Sequence, residues 1–182
     1  GWGAVMFDFD NDGWLDIYCA NGMTFDLPDR NQLFWNKGDG TFDNISEFSG
    51  ADHPGMSQAV AYADYDRDGF LDLAVGNNNQ DYMLLHNEGL LGADNHWVAL
   101  DLEGSGSVNR DAVGARVRLE RTDGLELIAE VHAGSSLGAT HELALHFGLG
   151  DAGIAAVTVT WPNGVVEVLE TSAINMDAYN AV

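Results

Sequence analysis

Asp8-Phe-Asp10-Asn-Asp12-Gly13-Trp14-Leu-Asp16 returns 56 positions later as Asp64-Tyr-Asp66-Arg-Asp68-Gly69-Phe70-Leu-Asp72. Both runs read D-x-D-x-D-G-x-x-D. Four carboxylates within nine residues repel one another unless a cation sits among them. In each tight loop the aspartates at positions 1, 3 and 5 (Asp8, Asp10 and Asp12; Asp64, Asp66 and Asp68) aim at one centre. Gly13 and Gly69 permit the bend, and the main-chain carbonyls of Trp14 and Phe70 are offered at position 7. Asp16 and Asp72 at position 9 close the shell. Such an all-oxygen donor set suits Ca²⁺ before Mg²⁺ or Zn²⁺, so two Ca²⁺ sites are expected. The alternative is a solvated acidic turn, and recurrence of the whole pattern argues against it.

The loops are not EF-hands, which need a bidentate Glu at position 12 and helical flanks. Position 12 is Cys19 in one copy and Val75 in the other. The flanks are strand-like: Ala4–Phe7 and Leu15–Cys19 around the first loop, Ala59–Tyr62 and Leu71–Val75 around the second. Each ion is therefore expected to staple a β–loop–β unit.

Those strands belong to a longer repeat. Asp16–Asn21 matches Asp72–Asn77, and Leu33-Phe-Trp-Asn-Lys-Gly38 matches Leu84-Leu-His-Asn-Glu-Gly89. The offset falls from 56 to 51, which places about five extra residues of the first copy in Gly22–Arg30. Asp39-Gly40-Thr-Phe then reads as a hairpin turn. A repeating β-meander of this length implies propeller blades. Two blades cannot close a ring, and the chain opens on Gly inside a strand pattern. The remaining blades are therefore expected to be missing from this fragment, with N-terminal chain preceding it.

Near Gly89–Asn95 the acidic loops give way to a different β pattern. His96–Leu102 places Val98, Leu100 and Leu102 on one face, and Arg116–Arg121 sets Val117 and Leu119 opposite arginines. Thr122-Asp-Gly-Leu125 and Pro162-Asn-Gly-Val165 are turns, the latter a strong hairpin signal leading to Val166–Leu169. The fold class expected is all-β: a partial β-propeller of two blades over 1–92, then an antiparallel β-sandwich or barrel-like domain over 93–182. The best helical candidate is a short turn at Thr171–Met176.

Net charge is −22, with seven Lys and Arg against 29 Asp and Glu. That balance fits a salty or extracellular setting, or attraction of a basic partner. It disfavours nucleic-acid or anionic-lipid binding, because the sequence holds no basic patch. No membrane insertion is expected. The single cysteine, Cys19, excludes an intrachain disulfide and reads as a buried thiol.

Outside the loops the chemical candidates are sparse. His96, His132, His141 and His146 lack metal-ligand spacing and read as structural. His141-Glu142 is a candidate acid/base pair, and Asn109-Arg110-Asp111 is either a polar turn or an anion-recognition site. Gly134-Ser-Ser136 lacks the G-x-S-x-G elbow of a serine hydrolase, and Gly148-Leu-Gly150 carries no nucleotide signal. Trp2, Trp14, Trp35, Trp97 and Trp161 read mainly as core, with carbohydrate stacking as the alternative.

The two loops, with Asn-Lys-Gly-Asp-Gly-Thr-Phe at 36–42, resemble FG-GAP/VCBS repeats, which build the integrin-α-type propeller and bind Ca²⁺ in such loops. Asn95-His-Trp97, Ser107–Val117, His146-Phe-Gly-Leu-Gly150 and Trp161-Pro-Asn-Gly164 resemble the ASPIC/UnbV domain. The combination is similar to bacterial relatives of cartilage acidic protein. Val108 interrupts that domain's usual Ser-Asn-Arg-Asp. The resemblance implies a secreted or cell-surface chain and carries no catalytic residue over.

Two readings follow. One is a Ca²⁺-binding adhesion or binding module for a protein or carbohydrate ligand, with weak structural sites of roughly 10⁻⁴–10⁻³ M. The other is an enzyme acting on polysaccharide or a secondary metabolite, with Ca²⁺ only structural. The first is favoured, because no acid/base constellation is visible.

Overall fold

The computed structural model describes residues 1–22 and 29–182. The insertion expected within Gly22–Arg30 falls mostly outside the described residues. The described chain is all-β and divides into two compact units. The first comprises Gly1–Phe9, Trp14–Leu90 and Gly134–His141; the second comprises Asp10–Gly13, Leu91–Ala133 and Glu142–Val182.

In the first unit each repeat forms one antiparallel meander with the order of a propeller-like blade. Strands β1 (Gly3–Phe7), β2 (Asp16–Ala20), β3 (Gln32–Asn36) and β4 (Phe42–Asn44) make a four-stranded sheet in that order. Strands β5 (Ser57–Ala63), β6 (Asp72–Asn77) and β7 (Met83–Leu85) make a three-stranded one. Alternation builds the core: Val5 and Phe7 of β1 and Tyr18 and Ala20 of β2 are buried, while Ala4 and Met6 face out. Val60, Leu73 and Val75 repeat the arrangement in the second sheet. Each D-x-D-x-D-G-x-x-D run connects the first two strands of its sheet, and the register Phe7↔Asp16 is reproduced by Ala63↔Asp72. A one-turn helix, α1 (Ser46–Ser49), follows β4. His141 stacks on Tyr62 with ring centroids 3.8 Å apart.

The second unit holds two open sheets. One has the order β10 (Glu126–Glu130), β9 (Arg116–Arg121), β12 (Ile154–Thr160), β13 (Val166–Leu169). The other is β11 (Leu145–Gly150), β8 (His96–Asp101), β14 (Tyr179–Ala181). Val98 and Leu100 of β8, Val117 and Leu119 of β9, Phe147 and Leu149 of β11, and Val157 and Val159 of β12 meet in one buried cluster. Two sheets around one apolar core make a sandwich, and no barrel closes among the described residues. The β12–β13 hairpin turns at 161–165, where the Trp161 N–H donates to the Val165 carbonyl at 2.8 Å.

Several expectations need correcting. Strand β8 is central in its sheet, so Trp97 and Ala99 are buried along with Val98 and Leu100. Strand β14 pairs with β8 in parallel, which an antiparallel pattern does not anticipate. The C-terminal helical turn is 3₁₀ and covers only Thr171–Ala173. Cys19 is half-buried, because it lies on the face of β2 opposite Tyr18 and Ala20. Of the tryptophans only Trp97 is buried; Trp2 and Trp14 are exposed, and Trp35 and Trp161 are intermediate.

Candidate metal centres

In the second repeat, Asp64, Asp66 and Asp72 each bring one oxygen into a group spanning no more than 4.8 Å. Within the nine-residue loop of the first repeat, Asp8, Asp10 and Asp16 do the same. Asp8, Asp16, Asp64 and Asp72 are buried, a costly position for ionised carboxylates unless they are hydrogen-bonded or bind a cation.

The aspartate at position 9 is the best-defined member. Asp16 accepts the Phe9 N–H at Oδ2 (3.1 Å) and the Asn36 N–H at Oδ1 (2.8 Å). Asp72 accepts the Tyr65 N–H at Oδ2 (3.2 Å) and the Asn87 N–H at Oδ1 (2.8 Å). Each carboxylate thus ties the loop to the turn after the third strand. The turn residue answers in both copies: the Asn36 and Asn87 amides donate to the carbonyls of Leu15 and Leu71. At position 7 the rings of Trp14 and Phe70 lie against Gly38 and Gly89, whose own amides donate to Asn36 and Asn87 Oδ1. A β-carbon at either glycine would collide with the ring.

The remaining position-5 aspartates differ. Asp12 is half-buried, whereas exposed Asp68 groups with Asp66 and His86. Asp64 accepts the N–H groups of Asp68 (3.1 Å) and Gly69 (2.9 Å), which curls the second loop around it. His86 was missed as a neighbour of the site; its Nδ1 lies 3.0 Å from Asp72 Oδ1 and 3.8 Å from Asp66 Oδ2. The hydrogen bond to Asp72, reinforced by the charges of Asp66 and Asp68, holds its pKa above the usual value. The repeat alignment carried the signal, since His86 stands where the first copy has Trp35.

The tip of the first loop, Asp10–Gly13, is part of the second unit, and three successive carbonyls there are claimed by hydrogen-bond donors. Asp10 accepts from the Asn95 amide (2.7 Å), Asn11 from the Gly150 N–H (2.8 Å) and Asp12 from Arg121 Nη1 (2.7 Å). Arg121 is buried on the core side of β9 and also pairs with Asp123 at 2.6 Å. Asn11 Oδ1 lies 2.7 Å from Nε2 of His146, which stacks on Trp97 at 5.3 Å. In the second loop Asp66, Arg67 and Asp68 are exposed.

Residues 8–75 match the FG-GAP-like repeat model, and residues 104–178 match the ASPIC and UnbV model. The two models match successive, non-overlapping segments of the chain. It is distantly similar to cartilage acidic protein 1 of Xenopus tropicalis, with 27% identity over 90% of this chain and 26% of the relative. The Homo sapiens protein of that name is 28% identical over 88% of this chain and 25% of its own length. The chain thus spans about a quarter of the length of the curated relatives it matches.

The other candidates make local contacts. Asn109 Oδ1 accepts the Val113 N–H (2.9 Å) and its amide returns a bond to the Val113 carbonyl, so 109–113 is a closed polar turn. Arg110 is exposed and lies 3.7 Å from Glu103. His141 Nδ1 accepts the Tyr62 N–H (3.2 Å), which leaves the neutral ring's proton on Nε2, facing Ser135 Oγ at 2.5 Å. That tautomer donates to the serine and does not activate it.

Proposed function

We propose that this chain is an extracellular protein-binding module in which each D-x-D-x-D-G-x-x-D loop holds one structural Ca²⁺. Asp8, Asp10, Asp12, the Trp14 carbonyl and Asp16 would hold one ion; Asp64, Asp66, Asp68, the Phe70 carbonyl and Asp72 would hold the other. A bound ion supplies positive charge that cancels carboxylate repulsion and stiffens the turn. The protein supplies the rest: Asp16 and Asp72, already fixed by two backbone donors each, set the far wall of each site. The observation that carries the reading is this duplicated geometry, in which equivalent oxygens meet equivalent donors in both loops. An all-carboxylate and carbonyl donor set matches a hard cation. The extracellular, protein-binding part rests on the FG-GAP-like and ASPIC and UnbV segments and on the similarity to cartilage acidic protein 1. Among the described residues no helix is long and apolar enough to cross a membrane.

Thermal unfolding with excess Ca²⁺, with Mg²⁺ and with chelator, at equal ionic strength, tests the metal reading. At 100 times the dissociation constant each site adds about 2.7 kcal/mol. A Ca²⁺-specific rise with a midpoint of roughly 10⁻⁴–10⁻³ M is expected for extracellular sites. No rise, or an equal rise with Mg²⁺, would sink it.

A further inference from the structure

One residue from outside the D-x-D-x-D-G-x-x-D run reaches the carboxylates of the second loop. His86 follows β7, and its Nδ1 lies 3.0 Å from Asp72 Oδ1 and 3.8 Å from Asp66 Oδ2. The neighbouring Asn87 N–H donates to the same Asp72 oxygen at 2.8 Å, which fixes the backbone at 86–87 against the loop. Tyr65 meets the imidazole edge to face at 5.7 Å and limits its rotation. Asp66, Asp68 and His86 bring donor atoms within 4.8 Å of one another, beside the all-carboxylate group of Asp64, Asp66 and Asp72. In the first repeat Trp35 holds the equivalent position. An indole nitrogen carries a hydrogen and offers no lone pair, so it cannot ligate a metal. At that position the first loop is barred from nitrogen ligation and the second is not.

We propose that His86 is a specificity-determining ligand, through which the second loop takes a first-row divalent transition ion in competition with Ca²⁺, while the first loop stays an oxygen-only site. Calcium is bound by oxygen, whereas imidazole nitrogen suits ions of the Mn²⁺-to-Zn²⁺ series. The spacing fits such an ion. Nitrogen and oxygen donors at about 2.0–2.2 Å from Zn²⁺, set at right angles, lie about 3 Å apart. His86 Nδ1 and Asp72 Oδ1 are 3.0 Å apart. With the imidazole proton on Nε2, the Nδ1 lone pair faces the space shared with Asp72 and Asp66, and the ion takes the place of the hydrogen between Nδ1 and Oδ1. Asp66, Asp68, Asp72 and His86 all lie within Trp14–Leu90 of the first unit. His86 acts on a loop already read as a cation site, so the proposal rests on that reading and alters only which ion is admitted.

The test uses the whole chain with one equivalent of Mn²⁺ as the probe, read by pulsed electron paramagnetic resonance for a directly bonded nitrogen and by calorimetric titration. The wild type should show nitrogen coupling that changes to the ¹⁵N pattern when its histidines are labelled. His86→Gln keeps an amide that can donate to Asp72 but has no imidazole nitrogen. It should lose the coupling and bind Mn²⁺ about tenfold more weakly, with Ca²⁺ affinity held within about twofold. A merely structural histidine would move both affinities together and give no coupling. Coupling absent from the wild type, coupling retained in His86→Gln, or an equal loss of Mn²⁺ and Ca²⁺ affinity would each overturn the proposal. Thermal unfolding with Ca²⁺ on the same samples separates the readings. Ca²⁺ stabilisation without His86-dependent coupling refutes this inference alone; His86-dependent coupling without Ca²⁺ stabilisation refutes the calcium assignment alone; a chain that binds neither ion refutes both.

Discussion

His146 makes the second unit acid-sensitive, and the size of the effect follows from its surroundings. The ring lies between Trp97 and Asn11, both neutral, and burial pushes its pKa down to about 4 from 6.5. With Asn11 Oδ1 accepting from Nε2, the buried Nδ1 has no hydrogen-bond partner among the described residues to stabilise an added proton. The folded state therefore binds this proton less readily than the unfolded chain. Stability from the neutral ring is fully present above pH 6.5 and is lost as pH falls from there to about 4. At about 1.4 kcal/mol per pKa unit, the loss is about 2 kcal/mol at pH 5 and about 3 kcal/mol near pH 4. His146→Phe keeps a ring against Trp97 but cannot titrate. Urea unfolding of both proteins in saturating Ca²⁺ at pH 7.5 and pH 5, followed by tryptophan fluorescence, isolates the term. Carboxylate effects are common to both chains and cancel in the difference. The wild-type advantage at pH 7.5 should fall by about 2 kcal/mol at pH 5. A stability difference unchanged between the two pH values would refute the reasoning.

Asp16→Asn should cost about 2–3 kcal/mol even in chelator, since an amide NH₂ would replace an oxygen that accepts a buried N–H. Exposed Asp68→Asn should cost under about 0.5 kcal/mol in chelator while reducing the Ca²⁺-dependent gain; paired melts with and without Ca²⁺ separate the two. Gly92→Ala should destabilise by roughly 3 kcal/mol or more in urea, because Gly92 has φ +81° and its new methyl would overlap the Asp10 carbonyl oxygen.

The parts of this fold that were legible in the sequence are those governed by local spacing. Period-two alternation placed β1, β2, β5 and β6, and the Asp-Gly and Asn-Gly pairs placed the turns at 122–125 and 161–165. Burial of individual side chains was less legible, because it depends on neighbours distant in sequence. Trp97 is buried and Trp2 is exposed, though both stand in strand patterns, and β8 is central in its sheet. Arg121 ends a strand whose other arginines face solvent, yet it is buried, with Asp123 beside it in sequence and the carbonyl of Asp12, 109 residues away, as its partners. His86 was hidden for the same reason: its partner Asp72 lies across β6 and β7.

Duplicated loops allow a within-chain comparison in which divergence is informative. The position-9 carboxylate, its two backbone donors, the turn asparagine and the glycine under the position-7 ring are held in common. Those are the groups that shape the loop, so their retention follows if both loops must adopt one geometry. The copies part at positions that face outward from that geometry. Asn11, buried with φ +59°, is replaced by Arg67, exposed with φ +62°: one left-handed backbone serves either a buried amide or an exposed guanidinium. Trp35, whose ring carries Lys37 Nζ 3.4 Å above it, is replaced by His86, and the hairpin after Gly38 is absent after Gly89. Within the second unit the carbonyls of Asp10–Asp12 are thus held, while Asp66, Arg67 and Asp68 are exposed. The first loop's backbone is held by Asn95, Gly150 and Arg121, and the second loop curls around Asp64, which accepts the Asp68 and Gly69 N–H groups. If both loops hold an ion, its removal should speed amide exchange at Asp66–Asp68 more than at Asp10–Asp12, which exchange measured in Ca²⁺ and in chelator would read.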